Sequence, residues 1–345
     1  MASERKCTVA ILFPATLLAL LWTSHVSCEV NSPRLVVAAT SPRTTILCCE
    51  PLMLDIEIAN QGDASVDVEE PMTLGHPFEV HVTPPDGQRF RYTSPWSGSH
   101  SIRKVTIDPG AVYRARMTLL YGGLRSAHQH RQFLHIFSTP GDYVVEVAYW
   151  PHRPKGPRLE AAALHVEVVE PHGRQGEALQ LFRGQKQIEF MAIGRGKTPP
   201  EQLVRLKTQY PDTVYGRYAR FYLAAALLEH RFDWQEARRT FAAELAGLDR
   251  LKAERRLFEK VFEKTAAEFA DLAGAKPAFP FADQCLLYEA QCYTGSPANR
   301  KAEAVKVLRD LVERYPKSPA AVKARKRLEK LGTKPPAPTT TPSSP

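Results

Sequence analysis

Apolar and polar residues alternate along the chain from about Arg34 to Val169. In "LMLDIEIAN", Leu52, Leu54, Ile56 and Ile58 face one way, while Asp55 and Glu57 face the other. Tyr143, Val145, Val147 and Tyr149 of "YVVEVAYW" repeat the pattern, as do Leu164, Val166 and Val168. A period of two marks half-buried strands. Turn signals separate these runs: "NQGD" at 60, "PPDG" at 84, "DPG" at 108 and "TPGD" at 139. Pro and Asp set turn geometry there and Gly supplies positive φ. The spacing predicts roughly seven to nine short strands in an antiparallel two-sheet sandwich.

After "VEVVEPHG" the period lengthens. Tyr218, Phe221, Tyr222, Ala225 and Leu228 recur at helical spacing, and so do Val305, Leu308, Leu311, Val312 and Tyr315. Two prolines punctuate this half in the same way. Tyr210-Pro211 and Tyr315-Pro316 stand 315 − 210 = 105 residues apart. Proline ends a helix, and a cap for the next follows each pair: Asp212 or Thr213 in one copy, Ser318 in the other. Pro319 then suits the first helical position. The match extends outward, with Leu203 answering Leu308, Leu206 answering Leu311, Ala219 answering Ala324 and Leu223 answering Leu328. A spacing of 105 predicts three helical hairpins of about 34–35 residues. "DWQEARRTFAAELA" reads as the second helix of one hairpin, and "FADQCLLYEAQCYTG" with "NRKAEAVKVLRDLVERYP" as a complete one. A longer helix from Leu251 to Leu272, stopping at Gly274, lacks the repeat pattern, so the middle unit is degenerate or inserted.

Residues 33–170 resemble bacterial immunoglobulin-like modules, through "LDIEIANQGDASVDV" at the opening and "DPGAVYRARMTL" and "TPGDYVVEVAY" near the close. Some such modules inhibit proteinases, but no reactive loop is recognisable. Residues 199–332 resemble tetratricopeptide-like repeats of bacterial outer-membrane assembly lipoproteins and periplasmic coordinator proteins. There "YP-x-[ST]" closes a hairpin and an "EA" pair, here Glu236-Ala237 and Glu303-Ala304, opens the second helix. The resemblance implies a multidomain β + α protein: an immunoglobulin-like antiparallel sandwich followed by a tetratricopeptide-like array. Residues 171–198 would be a linker, and 333–345, rich in Pro, Thr and Ser, a disordered tail.

Composition adds a destination. Residues 1–28 combine Arg5 and Lys6, the apolar run "VAILFPATLLALLW" and a small polar close, the order of a secretory signal. Cys28 in "HVSC" admits lipidation, although the aliphatic residue that pattern wants three positions earlier is His25. The expected location is the periplasm or envelope, membrane-anchored if Cys28 carries lipid and secreted otherwise. Cys48, Cys49, Cys285 and Cys292 fit neither a disulfide scaffold nor a zinc motif and read as small buried hydrophobes. The net charge of +9 is concentrated in residues 299–334, where 12 Lys and Arg face 4 Asp and Glu, 12 − 4 = +8.

Candidate chemistry is sparse. His128, His130 and His135, with His81, suggest a metal, but no acidic or thiol ligand falls in step with them. Ser97, Ser99 and His100 lack a nucleophile elbow. "IGRGKTPP" runs into Pro199 and Pro200 where a phosphate loop needs free N–H donors. No metal site, cofactor or catalytic residue is expected. The partner candidates are the aromatic group Tyr215, Tyr218, Tyr222 and Trp234, which reads first as core and second as a peptide groove. The cations Lys323, Arg325, Lys326 and Arg327 read first as a solvated face and second as a contact for anionic lipid or envelope polymer; nucleic acid is unlikely for an exported chain. The expected function is non-catalytic: an exported scaffold whose array holds a protein or peptide. A proteinase inhibitor acting through the sandwich and a hydrolase using the His-rich turn stand as alternatives.

Overall fold

A computed structural model describes residues 34–70, 77–92, 103–124, 132–152, 156–193, 198–228, 238–239, 241–297 and 299–336. Strands occupy Leu35 to Val169 and helices Gly173 to Lys330. In the β half, β1 (Leu35–Thr40), β3 (Leu52–Asn60) and β8 (Val112–Leu119) form an antiparallel sheet in the order β1-β3-β8. A larger sheet runs β2-β13-β11-β5-β6, with β12 also on β11; its members are β2 (Thr45–Leu47), β5 (Phe78–Thr83), β6 (Phe90–Arg91), β11 (Gly141–Tyr149), β12 (Leu159–Glu160) and β13 (Leu164–Val169). Two ribbons, β4 (Val66–Glu69) with β7 (Lys104–Ile107) and β9 (Tyr121–Leu124) with β10 (Gln132–His135), complete it. The sheet is not wholly antiparallel, because β13 pairs β2 in parallel.

The alternation decides which face is buried. Leu52, Leu54, Ile56 and Ile58 are buried together with Tyr143, Val145, Val147, Tyr149, Val166 and Val168 in one continuous core. Asp55 and Glu57 project from the opposite face of β3, directly across from Arg116 and Arg114 of β8. The turns are tied by the residues that announced them. The buried Asn60 amide donates to the carbonyls of Ala64 and Ile107, both at 2.8 Å, and Gly110 takes φ +71 in the turn before β8.

The segment expected to be a linker is folded. Residues 173–193 form α1 (Gly173–Phe182) and α2 (Gln185–Ile193). Ala178, Leu179 and Phe182 of α1 are buried, and this helix packs on α3 (Glu201–Gln209) and α4 (Val214–Leu228), while α2 packs on β10. Glycines at 173, 176 and 184 break up the apolar period in sequence, which is why the short helices read as a connection.

Beyond α4 come a single turn, α5 (Ala242–Leu245), and α6 (Arg250–Gly274), α7 (Ala282–Gly295), α8 (Lys301–Arg314) and α9 (Pro319–Lys330). The middle of the 105-residue spacing holds the long helix expected from Leu251 to Leu272, which runs from Arg250 to Gly274 as α6. The 25-residue α6 packs on α4 and on α7, so α4 and α6 make one enlarged hairpin and α7 and α8 a compact one. Of the helix expected in 233–246, the described residues 238–239 and the four-residue α5 are helical, and Glu236-Ala237 lies outside the described residues.

Both Tyr-Pro corners are built alike. Tyr210 and Tyr315 close their helices with φ −130 and −129, each N–H donating to a leucine carbonyl, Leu206 or Leu311, at 3.0 Å. Thr213 then accepts from the Gly216 N–H at 3.0 Å, and Ser318 from the Ala321 N–H at 3.1 Å. All eight aligned positions, from Leu203 and Leu308 through Leu223 and Leu328, are buried. At the first corner the backbones meet so closely that a Cβ on Gly216 would overlap the Tyr210 carbonyl oxygen. Gly216→Ala is expected to destabilise by about 3 kcal/mol in urea unfolding, because rigid backbone must move to admit the methyl. Gly274→Ala, with open space around it, should instead be neutral or stabilising by up to about 1 kcal/mol.

Candidate functional site

The leading helix of each hairpin faces the β half. Near its start, α4 presents Tyr215 and Tyr218, both fully buried. The Tyr215 hydroxyl donates to the Cys48 carbonyl, and the Tyr218 hydroxyl donates to Glu50 Oε1 at 3.3 Å. Their acceptors sit in the turn between β2 and β3, where Cys49 adopts φ +62 and the Leu47 N–H donates to Glu50 Oε2 at 2.9 Å. Arg43 completes the cage by donating to Glu50 Oε1. Burial pushes the Glu50 carboxyl above its ordinary range; Arg43, the Leu47 N–H and the Tyr218 hydroxyl pull back without cancelling that rise. Phe182 packs on Tyr215 at 5.1 Å, and Tyr218 touches Phe279 and Phe281 at 5.1 and 5.4 Å.

Further along, α7 supplies Asp283, 3% exposed at its side chain. Both Asp283 oxygens lie 2.6 Å from one guanidinium nitrogen of Arg116, which also reaches Asp55 at 2.6 and 3.1 Å. Burial works against the arginine's charge, but the two carboxylates outweigh it and its pKa is raised. The terminal α9 packs on β8. Thus α4, α7 and α9 lay one face of the array against the strands.

Among the described residues, two clefts lie along this seam. The larger, about 540 Å³, lies over the outer face of the three-stranded sheet. The ion-pair rungs Glu57–Arg114 and Asp55–Arg116 line it on the strand side; Phe279, Pro280 and the corner Tyr315-Pro316 line it on the helical side. The smaller, about 230 Å³, is lined by Thr118 and Tyr121 of the β half and Phe221, Tyr222 and Tyr288 of the array.

The residues proposed from sequence therefore separate. Tyr215 and Tyr218 cannot form an open peptide groove, because this chain's own β half fills the space in front of them. Tyr222 is half-buried and lines the smaller cleft, while Trp234 and Cys28 lie outside the described residues. The basic stretch divides by residue type. Arg325 donates to the Pro316 carbonyl at 2.9 Å, and Arg327 to the Leu287 carbonyl and Gln291 at 3.4 and 3.2 Å, so both hold the array together. Lys323 and Lys326 are exposed. Sequence reading missed Glu50, Arg116 and Asp283, whose contacts across the two halves, Glu50–Tyr218 and Arg116–Asp283, span 168 and 167 residues.

All four cysteines of the described residues are free and buried. Burial raises the thiols of Cys48, Cys49 and Cys292 to about 12 and that of Cys285 well upward. Ser97, Ser99, His100, His128 and His130 lie outside the described residues, within which no cluster of metal-ligating side chains occurs. His135 is 9% exposed, with neither ring nitrogen partnered, and its ring lies 5.8 Å from Phe182.

One tetratricopeptide repeat family model matches residues 284–318, the α7–α8 hairpin with the second Tyr-Pro corner. Repeats of this kind mediate protein–protein interaction, the role the match supports here. No curated protein matches the chain. Among solved structures, a β-glucosidase from Listeria innocua in complex with isofagomine is 12% identical, with 41% of this chain and 17% of that one covered at a TM-score of 0.26. A CARDB domain from Pyrococcus furiosus in complex with di-metal ions is 10% identical over 40% of this chain and 96% of that one, with a TM-score of 0.23. An alkylpurine DNA glycosylase from Pseudomonas fluorescens, bound to DNA containing an abasic site analogue, is 10% identical over 39% and 30%, with a TM-score of 0.24. All three scores are below 0.5 and carry no argument about fold or activity.

Adjacent rungs of the same sheet should respond differently to loss of arginine. Arg116→Met strands the buried Asp283 and is expected to cost about 3–5 kcal/mol in urea unfolding. Arg114→Met removes a pair whose side chains are 28% and 42% exposed, and should cost less than about 1 kcal/mol. His135 sets an acid limit. Burial lowers its pKa from 6.5 to about 4, so the unfolded chain takes up a proton first as pH falls. Stability should decline through that window by up to about 3 kcal/mol. His135→Phe should show a smaller drop in urea midpoint between pH 7 and pH 4.5 than the parent protein.

Proposed function

We propose that this chain is a non-catalytic scaffold of the cell envelope, exported through its first 28 residues, that presents a protein-docking cleft between an immunoglobulin-like module and a tetratricopeptide-like array. Two features support the module's type. Its sheets share one core, and Tyr143 at the start of β11 donates its hydroxyl back to the Thr139 carbonyl at 3.0 Å, as a tyrosine corner does. The similarity of the array to assembly lipoproteins and periplasmic coordinators rests on the same residues as before, with Cys28 as the anchor if lipidated.

The observation that carries the reading is the occupied inner face. Helical arrays of this type use an extended concave surface for partners. Here that surface is spent on the β half, so the two parts act as one body and the open space is the cleft of about 540 Å³ at the Tyr315-Pro316 corner. Its size suits a short segment of polypeptide, and its apolar wall above charged rungs offers both contact area and orientation. The partner is a protein, and the basic end of the array adds a contact for an anionic envelope surface.

A photo-crosslinking residue at Lys317, on the rim of this cleft, is expected to capture one defined protein in the native host. The same residue at Leu251, 78% exposed on α6, should not. Equal labelling at both positions, or none at Lys317, would remove the cleft as the docking site.

A further inference from the structure

The charges of α6 are largely neutralised by pairs along the helix and with its neighbour α5. On α6, Arg250 pairs with Glu254, Lys252 with Asp249, Arg255 and Arg256 with Glu259, and Lys260 with Glu244. Such mixed-sign lacing is what a merely solvated helix face looks like. The terminal helix pair, α8 with α9, departs from it. Of its four acids, Glu303 and Asp310 are taken by Arg300 and Arg314, at 2.9 and 3.1 Å, while Glu313 and Glu329 are exposed and fewer than the cations around them. Lys306, Arg309, Lys317, Lys323, Lys326 and Lys330 are exposed, and none is in an ion pair among the described residues.

Helical spacing gathers these charges. On α9, Lys323, Lys326 and Lys330 fall at i, i+3 and i+7, on the face turned away from buried Ala321, Ala324 and Leu328. Lys306 and Arg309 hold the corresponding outer face of α8, away from Ala304, Leu308 and Leu311. The choice of cation is informative as well. The two guanidiniums of α9 described above, Arg325 and Arg327, flank its buried face and turn to protein acceptors. The cations that α9 leaves toward solvent are lysines, with Glu329 the one exposed acid beside them. Arginine recognises phosphate through a fixed two-pronged geometry, whereas lysine is a strongly hydrated point charge on a flexible stem. Outward lysines without a pocket suit a diffuse negative surface better than one defined phosphate group.

We propose that the outer face of the α8–α9 pair rests on an anionic lipid bilayer surface, with Lys323, Lys326 and Lys330 as its principal contacts. The contact is one of surface charge, and no helix among the described residues is long and apolar enough to cross a membrane. It deepens the anionic contact of the proposed function and is independent of the protein-docking cleft.

The test is sedimentation of the full chain with vesicles of phosphatidylglycerol and phosphatidylcholine, against vesicles of phosphatidylcholine alone. The parent protein is expected to pellet only with the anionic vesicles. It should be released as salt rises from about 0.1 to about 1 M, where the screening length falls from about 10 to about 3 Å. The triple variant Lys323→Gln/Lys326→Gln/Lys330→Gln should lose about a hundredfold in partition coefficient, each lysine near such a surface being worth about 1 kcal/mol. An unchanged circular dichroism spectrum would show that the loss is not unfolding, and exchanging Lys252 for Gln on the paired α6 should leave partition unaltered. Equal binding to both vesicle types, no binding to either, or full retention in the triple variant would overturn the proposal. Binding to soluble polyphosphate without binding to vesicles would overturn it in favour of a polyanion. No protein partner is needed for any of these readings, so their failure leaves the cleft to be judged by crosslinking.

Discussion

A carboxyl group shut away from water is costly unless its oxygens are given hydrogen-bond partners. Glu50 is that group here, with its side chain wholly out of solvent. Its donors come from three places: Arg43 upstream, the Leu47 N–H within the same turn, and the Tyr218 hydroxyl from the other half of the molecule. The turn is held open for them by the positive φ of Cys49, a conformation non-glycine residues adopt only when their surroundings insist. Tyr215 seals the neighbouring carbonyl, and Phe182 packs against both tyrosines. The polar cage and its aromatic wall bind the strands and helices into one core.

That coupling changes what a helical array can mean. Stacked hairpins ordinarily touch only their neighbours and leave an inner surface free. In this chain the first helix of each hairpin is committed to the strands, through a hydrogen-bonded turn at α4, a buried ion pair at α7 and packing on β8 at α9. The enlarged α4–α6 hairpin fits the same picture, since α6 backs α4 and α7 from the far side. Opportunity for a partner is displaced from the groove to its edges.

Charge follows the same division of labour. Where arginine meets the fold, it is caged: Arg116 between two carboxylates, Arg325 and Arg327 against carbonyls. Where lysine ends the array, it is left open. The net positive balance of the chain thus comes largely from a surface the fold does not consume.

Periodicity alone was enough to divide the chain into strands and helices near residue 170, because a period of two and a period near four expose different faces and leave different traces. It was also enough to place both Tyr-Pro corners, since proline, capping Thr213 or Ser318 and the buried leucines act within a few residues of one another. The family match to residues 284–318 falls on the hairpin that pattern picked out. The folded segment 173–193 escaped it because glycine interrupts its short stripes. The site was least legible. Tyr215 and Tyr218 announced themselves as aromatic, but whether they meet a ligand or a neighbour depends on what lies opposite, and Glu50 stands 168 residues from Tyr218. Local pattern determines which face a residue takes; only the tertiary arrangement decides what that face touches, because Asp283, Arg116 and Glu50 acquire their roles solely from partners brought near by folding.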